Sequence, residues 1–559
     1  MQVRIIAIIP ARGGSKGIPR KNVRLLKNKP LIAYVIEAAL KSKYIDKVVV
    51  STEDAEIAEI SKIYGAEVIK RPVSLAEDDI PLDPVVFHAM KYIETKKSVL
   101  YDLVITIQPT SPLLSTETID SAIETMLTTD YDTLISVGKE THLYWIKKGN
   151  NFVPLYSQRK NRQFLDPLYR ETGSLLISRR NSITKDSRIG EKIFLFEMAC
   201  EESIDIDTYH DWWVTENILN KTKIAFRVDA DSKMGLGHVY RAITLANRIF
   251  GHEIVFLMNK SKKLGIKKVM ENNYSIIEFE NSSELFRKLG EINPDIVIND
   301  ILDTSKDYIL KLKKLGIFVV NFEDLGEGAD FADIVINALY ENSNPPENHY
   351  YGYRYECLRD EFHLYSKKKV GKRVKQLLVT FGGIDENNLT LRTLKAIEKI
   401  GIKKMSVSVI LGLGYPFKNN LRNRIQSMKE KGFRICVKED VRSMAEYIHK
   451  SDLIVTSNGR TIYEVASIGT PCVSISQNER EVTHLFSRVS KGVMNLGIAF
   501  NVSEDDIGNA IKKIINDWNL RKNMNKNLLR YDLLGGTQRV LELIFNKYRE
   551  WEKNGNKSW

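Results

Sequence analysis

The chain has 559 residues, 43% of them hydrophobic and 28% charged, with a formal net charge of +12. That length predicts two to four domains of ordinary size, and no run of 18 or more apolar residues predicts a membrane span. The positive excess is diffuse, with short basic clusters at 260–268, 367–375 and 512–526 and no nucleic-acid-binding signature beside them. Solvated faces and anionic small-molecule substrates therefore explain it better than nucleic acid or a membrane surface. The four cysteines (Cys200, Cys357, Cys436, Cys472) are far apart and form no CxxC pair. A reducing cytoplasm is expected, with no signal peptide, disulfide framework or zinc site.

The first part alternates strands and helices. An apolar strand over 5–10 runs into Pro10-Ala11-Arg12-Gly13-Gly14-Ser15-Lys16-Gly17-Ile18-Pro19-Arg20-Lys21-Asn22. Helical spacing follows at 30–42, a strand at 47–51, a helix at 54–64 and a strand at 103–107. Gln108-Pro109-Thr110-Ser111-Pro112 comes next, then a helix at 116–128 and a strand at 133–137. This rhythm predicts α/β architecture: a mostly parallel sheet of Rossmann type, with ligands beyond the carboxyl ends of its strands. The pattern restarts at 224–228, and again at 376–381 after the basic linker 366–373. Three units are expected, 1–220, 223–366 and 374–559, the last two forming one two-lobed enzyme. Final helices at 504–517, 519–529 and 537–554 are expected to pack back across the lobes.

In the first unit, Gly13 and Gly14 let backbone N–H groups approach phosphate, and Arg12, Lys16 and Lys21 add charge. Pro19 forces Ile18 to be extended, so no helix can begin at once. The second element is Ser203-Ile204-Asp205-Ile206-Asp207. Read as a strand, it projects Asp205 and Asp207 from one face, with Ile204 and Ile206 buried behind them. Two such carboxylates repel unless a cation lies between them, and hard oxygen donors suit Mg²⁺.

These pieces, with Val50-Ser51-Thr52, Arg71-Pro72, Arg162-Gln163 and Glu171-Thr172-Gly173, come in the order seen in the acylneuraminate cytidylyltransferases. Residues 1–216 resemble that family, whose members activate sialic acid and other nonulosonic acids. The resemblance implies a nucleotidyltransferase in which the anomeric hydroxyl of a nine-carbon 2-keto acid attacks the α-phosphate of CTP. Arg12, Gly14, Ser15, Lys16, Lys21 and Asn22 would hold the nucleotide, with Lys21 facing the triphosphate as charge develops. Asp205 and Asp207 would hold Mg²⁺, and Asp207 would be catalytic with Lys21. Arg71, Gln108, Arg162 and Gln163 would serve the sugar. Dimers are common in the family, so a homodimer is expected. Two departures concern the sugar: Glu53 follows Val-Ser-Thr where Asp is frequent, and Thr172-Gly173 replaces Asn-Gly.

The segment 226–241 again passes from strand through Gly235-Leu236-Gly237-His238 to a helix. A histidine there can move a proton in a cleft. Thr380-Phe381-Gly382-Gly383 and Ser457-Asn458-Gly459-Arg460-Thr461 are further glycine turns after strands, suited to a diphosphate. Residues 224–535 resemble the hydrolase of the pseudaminic acid pathway, a two-lobed glycosyltransferase B architecture that removes UDP from a 2,4-diacetamido-2,4,6-trideoxy sugar. The resemblance implies His238 as catalytic acid/base, with Gly237, Gly382, Gly383, Gly459, Thr461 and Glu464 holding UDP. Residues 477–481 depart from the Asn-Gln expected there. The expected function is therefore bifunctional, with CTP, a nonulosonic acid and a UDP-sugar as partners. Pseudaminic acid is favoured as the activated sugar, with sialic and legionaminic acid open. The alternatives for the second half are an inactive nucleotide-binding module or a glycosyltransferase, since fold does not fix function.

Overall fold

The computed structural model describes residues 3–231, 235–439, 441 and 443–555. Of the segment 226–241 read above, residues 232–234 lie outside the described residues. The chain divides into two compact units, Met1–Lys221 and Thr222–Trp559.

The first unit is built on a seven-stranded sheet. Its strands are β1 (Ile5–Pro10), β2 (Lys47–Thr52), β3 (Glu67–Lys70), β4 (Leu103–Ile107), β5 (Thr133–Glu140), β6 (Leu168–Arg179) and β7 (Ile193–Glu197). The order is β7-β5-β6-β4-β1-β2-β3, and β6 alone runs antiparallel to its neighbours. β1 reads IIAIIP and is buried along its whole length, as a strand covered on both faces must be. Chain connections leave β1 in opposite directions across the sheet. Its carboxyl end is therefore a switch point, where α/β sheets open a crevice. The glycine loop starts there. No helix begins at once, as Pro19 predicts: a 3-10 turn (Lys21–Val23) and a short hairpin (Leu25–Leu26 with Lys29–Pro30) precede the helix Leu31–Lys41. A two-stranded arm (Trp145–Lys148 and Asn151–Pro154) stands off the sheet with Trp145, Phe152 and Leu155 exposed.

The second unit holds two parallel sheets. The first lobe has β8 (Lys223–Val228), β9 (Glu253–Asn259), β10 (Ile276–Phe279), β11 (Ile296–Asp300), β12 (Phe318–Phe322), β13 (Ile334–Asn337) and β14 (His349–Tyr351), in the order β10-β9-β8-β11-β12-β13-β14. The second has β15 (Gln376–Thr380), β16 (Ser406–Leu411), β17 (Arg434–Glu439), β18 (Leu453–Ser457), β19 (Cys472–Ser476) and β20 (Val493–Ile498), in the order β17-β16-β15-β18-β19-β20. In each lobe the switch point lies at the first strand, β8 or β15, and a glycine turn follows it. The lobes are not contiguous in sequence. The helix Gly536–Lys553 crosses back, placing Val540, Ile544, Tyr548 and Trp551 in the core of the first lobe against Phe318. The basic linker is also fixed: buried Arg521 donates to the carbonyls of Gly371 and Lys372, and to those of Ile514 and Ile515. No described helix is long and apolar enough to cross a membrane.

Ile544 is 1% exposed within that shared core. Ile544→Ala should destabilise the second unit by about 2–5 kcal/mol through lost burial and the cavity left behind. Two-probe denaturant unfolding should show the transition of the second unit shifted and that of the first unmoved.

Candidate functional site

In the first unit three distant segments meet at the carboxyl edge of the sheet. Asp205–Asp207 is not a strand, as the alternating pattern suggested, but irregular chain. It is held in place by one backbone bond, Ile206 N–H to Thr110 O at 2.9 Å, and by the burial of Ile206 with Ile18, Leu26 and Leu31. The helix Tyr209–Leu219 begins immediately after it with a capping box between Thr208 and Asp211, which fixes where the segment ends. Asp205 and Asp207 do not share an environment. Burial raises the Asp205 carboxyl above the usual carboxylate range, with Thr110 opposing and Asp207 adding to the rise, and its Oδ1 is buried with no hydrogen bond inside normal limits. Asp207 is exposed.

Lys21 ties the loop to this segment. Its Nζ donates to Ile206 O at 2.6 Å and to Asp207 Oδ1 at 2.9 Å. Gly17 permits the contact: a Cβ there would lie 2.3 Å from Asp207 O. Arg12 and Lys16 converge on one counter-ion, Asp78, at 2.7 and 2.6 Å. Asn22 donates to Arg12 O at 2.9 Å, and its own Oδ1 is buried without a partner. Gly14 is exposed, with open space where a Cβ would stand, and Ser15 is half-buried beside it.

The expected sugar contacts divide. Gln108 follows β4, and its amide packs over Gly173, where a Cβ would be 2.8 Å from Nε2. Gly173 (φ +72°) sits in a bulge of β6, and Thr172 fills the position of the missing Asn with a bond to Ser136 Oγ at 2.6 Å inside the sheet. Arg71 does not reach outward as expected. It is 3% exposed and donates to Glu53 at 2.5 Å and to Ala11 O at 3.2 Å. Glu53 in turn accepts from Gly13 N at 2.7 Å, so the Glu that replaces Asp braces the glycine loop. Arg162 and Gln163 lie on an exposed 3-10 turn (Arg162–Phe164), where Arg162 Nε donates to Thr141 Oγ1 at 3.4 Å.

A cation between the aspartates is chemically consistent with these groups. A buried carboxylate oxygen without a partner is unfavourable, and an oxygen-seeking cation would satisfy it. Among the described residues no cluster of three or more His, Cys, Asp or Glu side chains forms a metal cage. Two protein carboxylates, with phosphate and water completing the shell, is the Mg²⁺ pattern.

In the second unit the glycine turns of both lobes line one cleft of about 530 Å³. Gly237, Gly382, Gly383, Gly459, Thr461 and Glu464 all border it. The helices Gly237–Ala246 and Thr461–Ile468 start there with no side-chain cap, leaving N–H groups open to an anion. His238 Nδ1 lies 2.5 Å from Asp300 Oδ1, at the end of β11. Asp300 is buried. Burial opposes its ionisation, but Arg241 and His238 outweigh that and hold its carboxyl well below the usual range. An ionised Asp300 only accepts, so Nδ1 carries the hydrogen and a neutral His238 keeps its free lone pair on Nε2. Arg241 is fully buried and also donates to Asp300 Oδ2 at 2.7 Å and Glu323 Oε1 at 2.8 Å. Glu464 does not stand free for a ribose: its Oε1 accepts from Arg359 at 2.9 Å, and burial raises its pKa.

Sequence reasoning did not find Asp300, Glu323 or Glu356, and it placed Arg480 at this edge only as part of the segment 477–481, with no role. They come from separate places, Asp300 from a strand end, Glu323 and Glu356 from connecting segments and Arg480 from the short helix Glu479–Val482, and no short motif joins them. Arg480 crosses from the second lobe to Tyr340 Oη at 2.8 Å, Glu323 O at 2.8 Å and Asp303 at 3.1 Å. It lies in the stretch that departs from Asn-Gln.

Residues 6–219 match the family model described as cytidylyltransferase. The CMP-N,N'-diacetyllegionaminic acid synthase of Legionella pneumophila is 35% identical over 225 residues, covering 39% of this chain and 97% of that enzyme. An uncharacterized protein of Methanocaldococcus jannaschii is 30% identical over 273 residues, covering 46% of this chain; the chain spans only 56% of that relative's length. Among solved structures, Acinetobacter baumannii MurG is 16% identical, with a TM-score of 0.45 over 58% of this chain and 99% of that one. With nearly the whole of the Legionella enzyme matched, the chain belongs to the cytidylyltransferase family.

Proposed function

We propose that the first unit transfers CMP from CTP to a nonulosonic acid with release of pyrophosphate, and that the second hydrolyses a UDP-2,4-diacetamido-2,4,6-trideoxyhexose to free sugar and UDP. The observation that carries the first reading is Lys21, which reaches from the glycine loop to Ile206 O and Asp207 at once. A phosphate-seeking cation thus stands beside a carboxylate pair. The triphosphate would take Arg12 and Lys16 from Asp78, while the loop amides at Gly14 and Ser15 face its oxygens. Lys21 then faces the charge that develops as the α-phosphate bond to pyrophosphate breaks. Held by Asp205 and Asp207, Mg²⁺ would neutralise triphosphate charge and make the α-phosphorus more electrophilic. Gln108, fixed over Gly173, lines the neighbouring sugar pocket.

In the second unit His238 Nε2 would accept a proton from a water that attacks the anomeric carbon. The new bond is C–O to water; the bond that breaks is C–O to phosphate, and its electron pair leaves with UDP. Asp300 holds the tautomer that leaves Nε2 basic. The neutral sugar released lies upstream of the acid that the first unit activates, and this order favours pseudaminic acid. A second reading, activation of a legionaminic acid, is favoured by the activity in the Legionella relative's name. Pyrophosphate release from CTP with pseudaminic, legionaminic and sialic acid in parallel tests the choice. The exposed apolar arm supports a homodimer, and four free cysteines support a reducing cytoplasm.

Asp207→Ala should cut pyrophosphate release about 100- to 1000-fold and leave UDP release intact. EDTA should do the same to the wild type, with Mg²⁺ restoring activity. His238→Ala should show the reverse pattern: UDP release lower by about 100- to 10,000-fold, with pyrophosphate release unchanged. Loss of both activities from either substitution in a folded chain contradicts two separate sites.

A further inference from the structure

Five residues lining the cleft of the second unit carry a buried polar atom with no partner among the described residues: Glu323 Oε2, Glu356 Oε2, Gln477 Oε1, His484 Nε2 and Arg460 Nη2. Buried polar atoms are nearly always satisfied, so such a set around one cavity marks groups that a bound molecule completes. Four of the five are acceptors: the oxygens of Glu323, Glu356 and Gln477, and His484 Nε2, since His484 Nδ1 donates to Asn458 O at 3.0 Å. The glycine turns and uncapped helix starts offer the opposite chemistry, N–H donors.

The two carboxylates are placed at a cost to the fold. Glu323 follows β12 in the left-handed region, φ +53°, which a non-glycine residue rarely occupies. Strain of this kind persists only where the surroundings enforce it. Here Glu323 N donates to Ile336 O at 3.0 Å, and the next residue, Asp324, is pinned by Thr304, Asn321 and Gly326 N. The outcome is a 2% exposed carboxylate with Oε1 on Arg241 and Oε2 unpaired. Because Arg241 also grips Asp300, and Asp300 grips His238, Glu323 and His238 are set relative to each other by one guanidinium. Glu356 is equally buried. Burial raises its pKa to about 7, with Arg460 and Arg241 opposing that rise and Glu323 and Glu464 adding to it.

We infer that Glu323 and Glu356 are the specificity-determining residues of this cleft: they accept hydrogen bonds from amide N–H or hydroxyl groups of the glycosyl part of the ligand, and they exclude a glycosyl group bearing an acid. The inference rests on the reading above that the cleft holds a nucleotide sugar. A sugar carboxylate brings only acceptor oxygens to a wall whose unpaired atoms at Glu323 and Gln477 are themselves acceptors, with the second carboxyl of Glu356 beside them. Gln477 presents an uncharged acceptor. Its Nε2 is occupied by Phe381 O and Ile384 O, which fixes Oε1 as the free atom.

The test is isothermal titration of the intact chain with UDP, UDP-N-acetylglucosamine and UDP-glucuronate. The wild type should prefer UDP-N-acetylglucosamine to UDP-glucuronate by tenfold or more, the scale of a hydrogen bond to a charged group. Glu323→Gln keeps an acceptor for Arg241 and replaces the free oxygen with an N–H₂ group. This variant, and Glu356→Gln separately, should shrink the preference about tenfold and leave UDP affinity within about twofold. Equal binding of the two sugars by the wild type overturns the inference. So does an undiminished preference in both variants, or a parallel loss of UDP affinity in both. If UDP itself does not bind the wild type, the nucleotide-sugar reading fails and this inference falls with it.

Discussion

The carbonyl oxygen of Asp207 occupies the space where a side chain on residue 17 would begin. Everything chemical in the first unit follows from that approach of backbone to backbone. It lets Ile18 and Ile206 share one small apolar cluster and brings Lys21 onto the acidic segment. It also keeps Ile206 within reach of Thr110, so the loop after β4 joins the same edge. Segments separated by almost two hundred residues thus meet through one missing methyl group. The parallel sheet supplies the platform, because β1 and β4 end side by side at the switch point. Glu53 and Arg71 finish the arrangement from beneath, tying Gly13 N and Ala11 O to the end of β2.

The second unit reaches its geometry differently. Its glycine turns also stand at strand ends, but the decisive groups are side chains gathered by Arg241. A guanidinium buried without partners would be prohibitive; shared between Asp300 and Glu323 it is tolerated, and it sets both carboxylates. The ring of Phe322 lies under the same guanidinium at 4.6 Å. The two glycine loops of the chain are therefore different tools. The loop of Gly13 and Gly14 is flanked by the cations Arg12, Lys16 and Lys21, whereas the turn at Gly237 presents a histidine whose Nδ1 faces Asp300.

Local motifs at strand ends were legible in sequence because glycine, proline and charge leave a mark within a few residues. Arg12 to Asn22, Gln108, Gly237-His238 and Gly382-Gly383 all lie at such ends. What was misread depends on partners far away. The alternation of Ile204, Asp205, Ile206 and Asp207 looked like a strand, yet among the described residues no strand pairs with it, and a single bond to Thr110 holds it. Arg71 looked like a ligand for anions because its partner, Glu53, belongs to another strand. The ion partner of Glu464, Arg359, stands more than a hundred residues away, where no local pattern marks it. Glu323 left no mark at all: its left-handed backbone is imposed by Ile336 and Asp324, and a glutamate after a strand is otherwise ordinary. The return of the helix Gly536–Lys553 to the first lobe was legible only as a tendency of the final helices to pack back.

The account rests on contact between the glycine loop and the aspartate segment, and Gly17→Ala tests that contact most directly. A methyl group there must push the two segments apart by about 1 Å, a displacement that costs about 100-fold in a positioned reaction. Pyrophosphate release from CTP should fall by about that factor while UDP release and the circular dichroism spectrum stay as in the wild type. Pyrophosphate release at the wild-type rate would show that the loop and Asp207 need not touch, and would contradict the account.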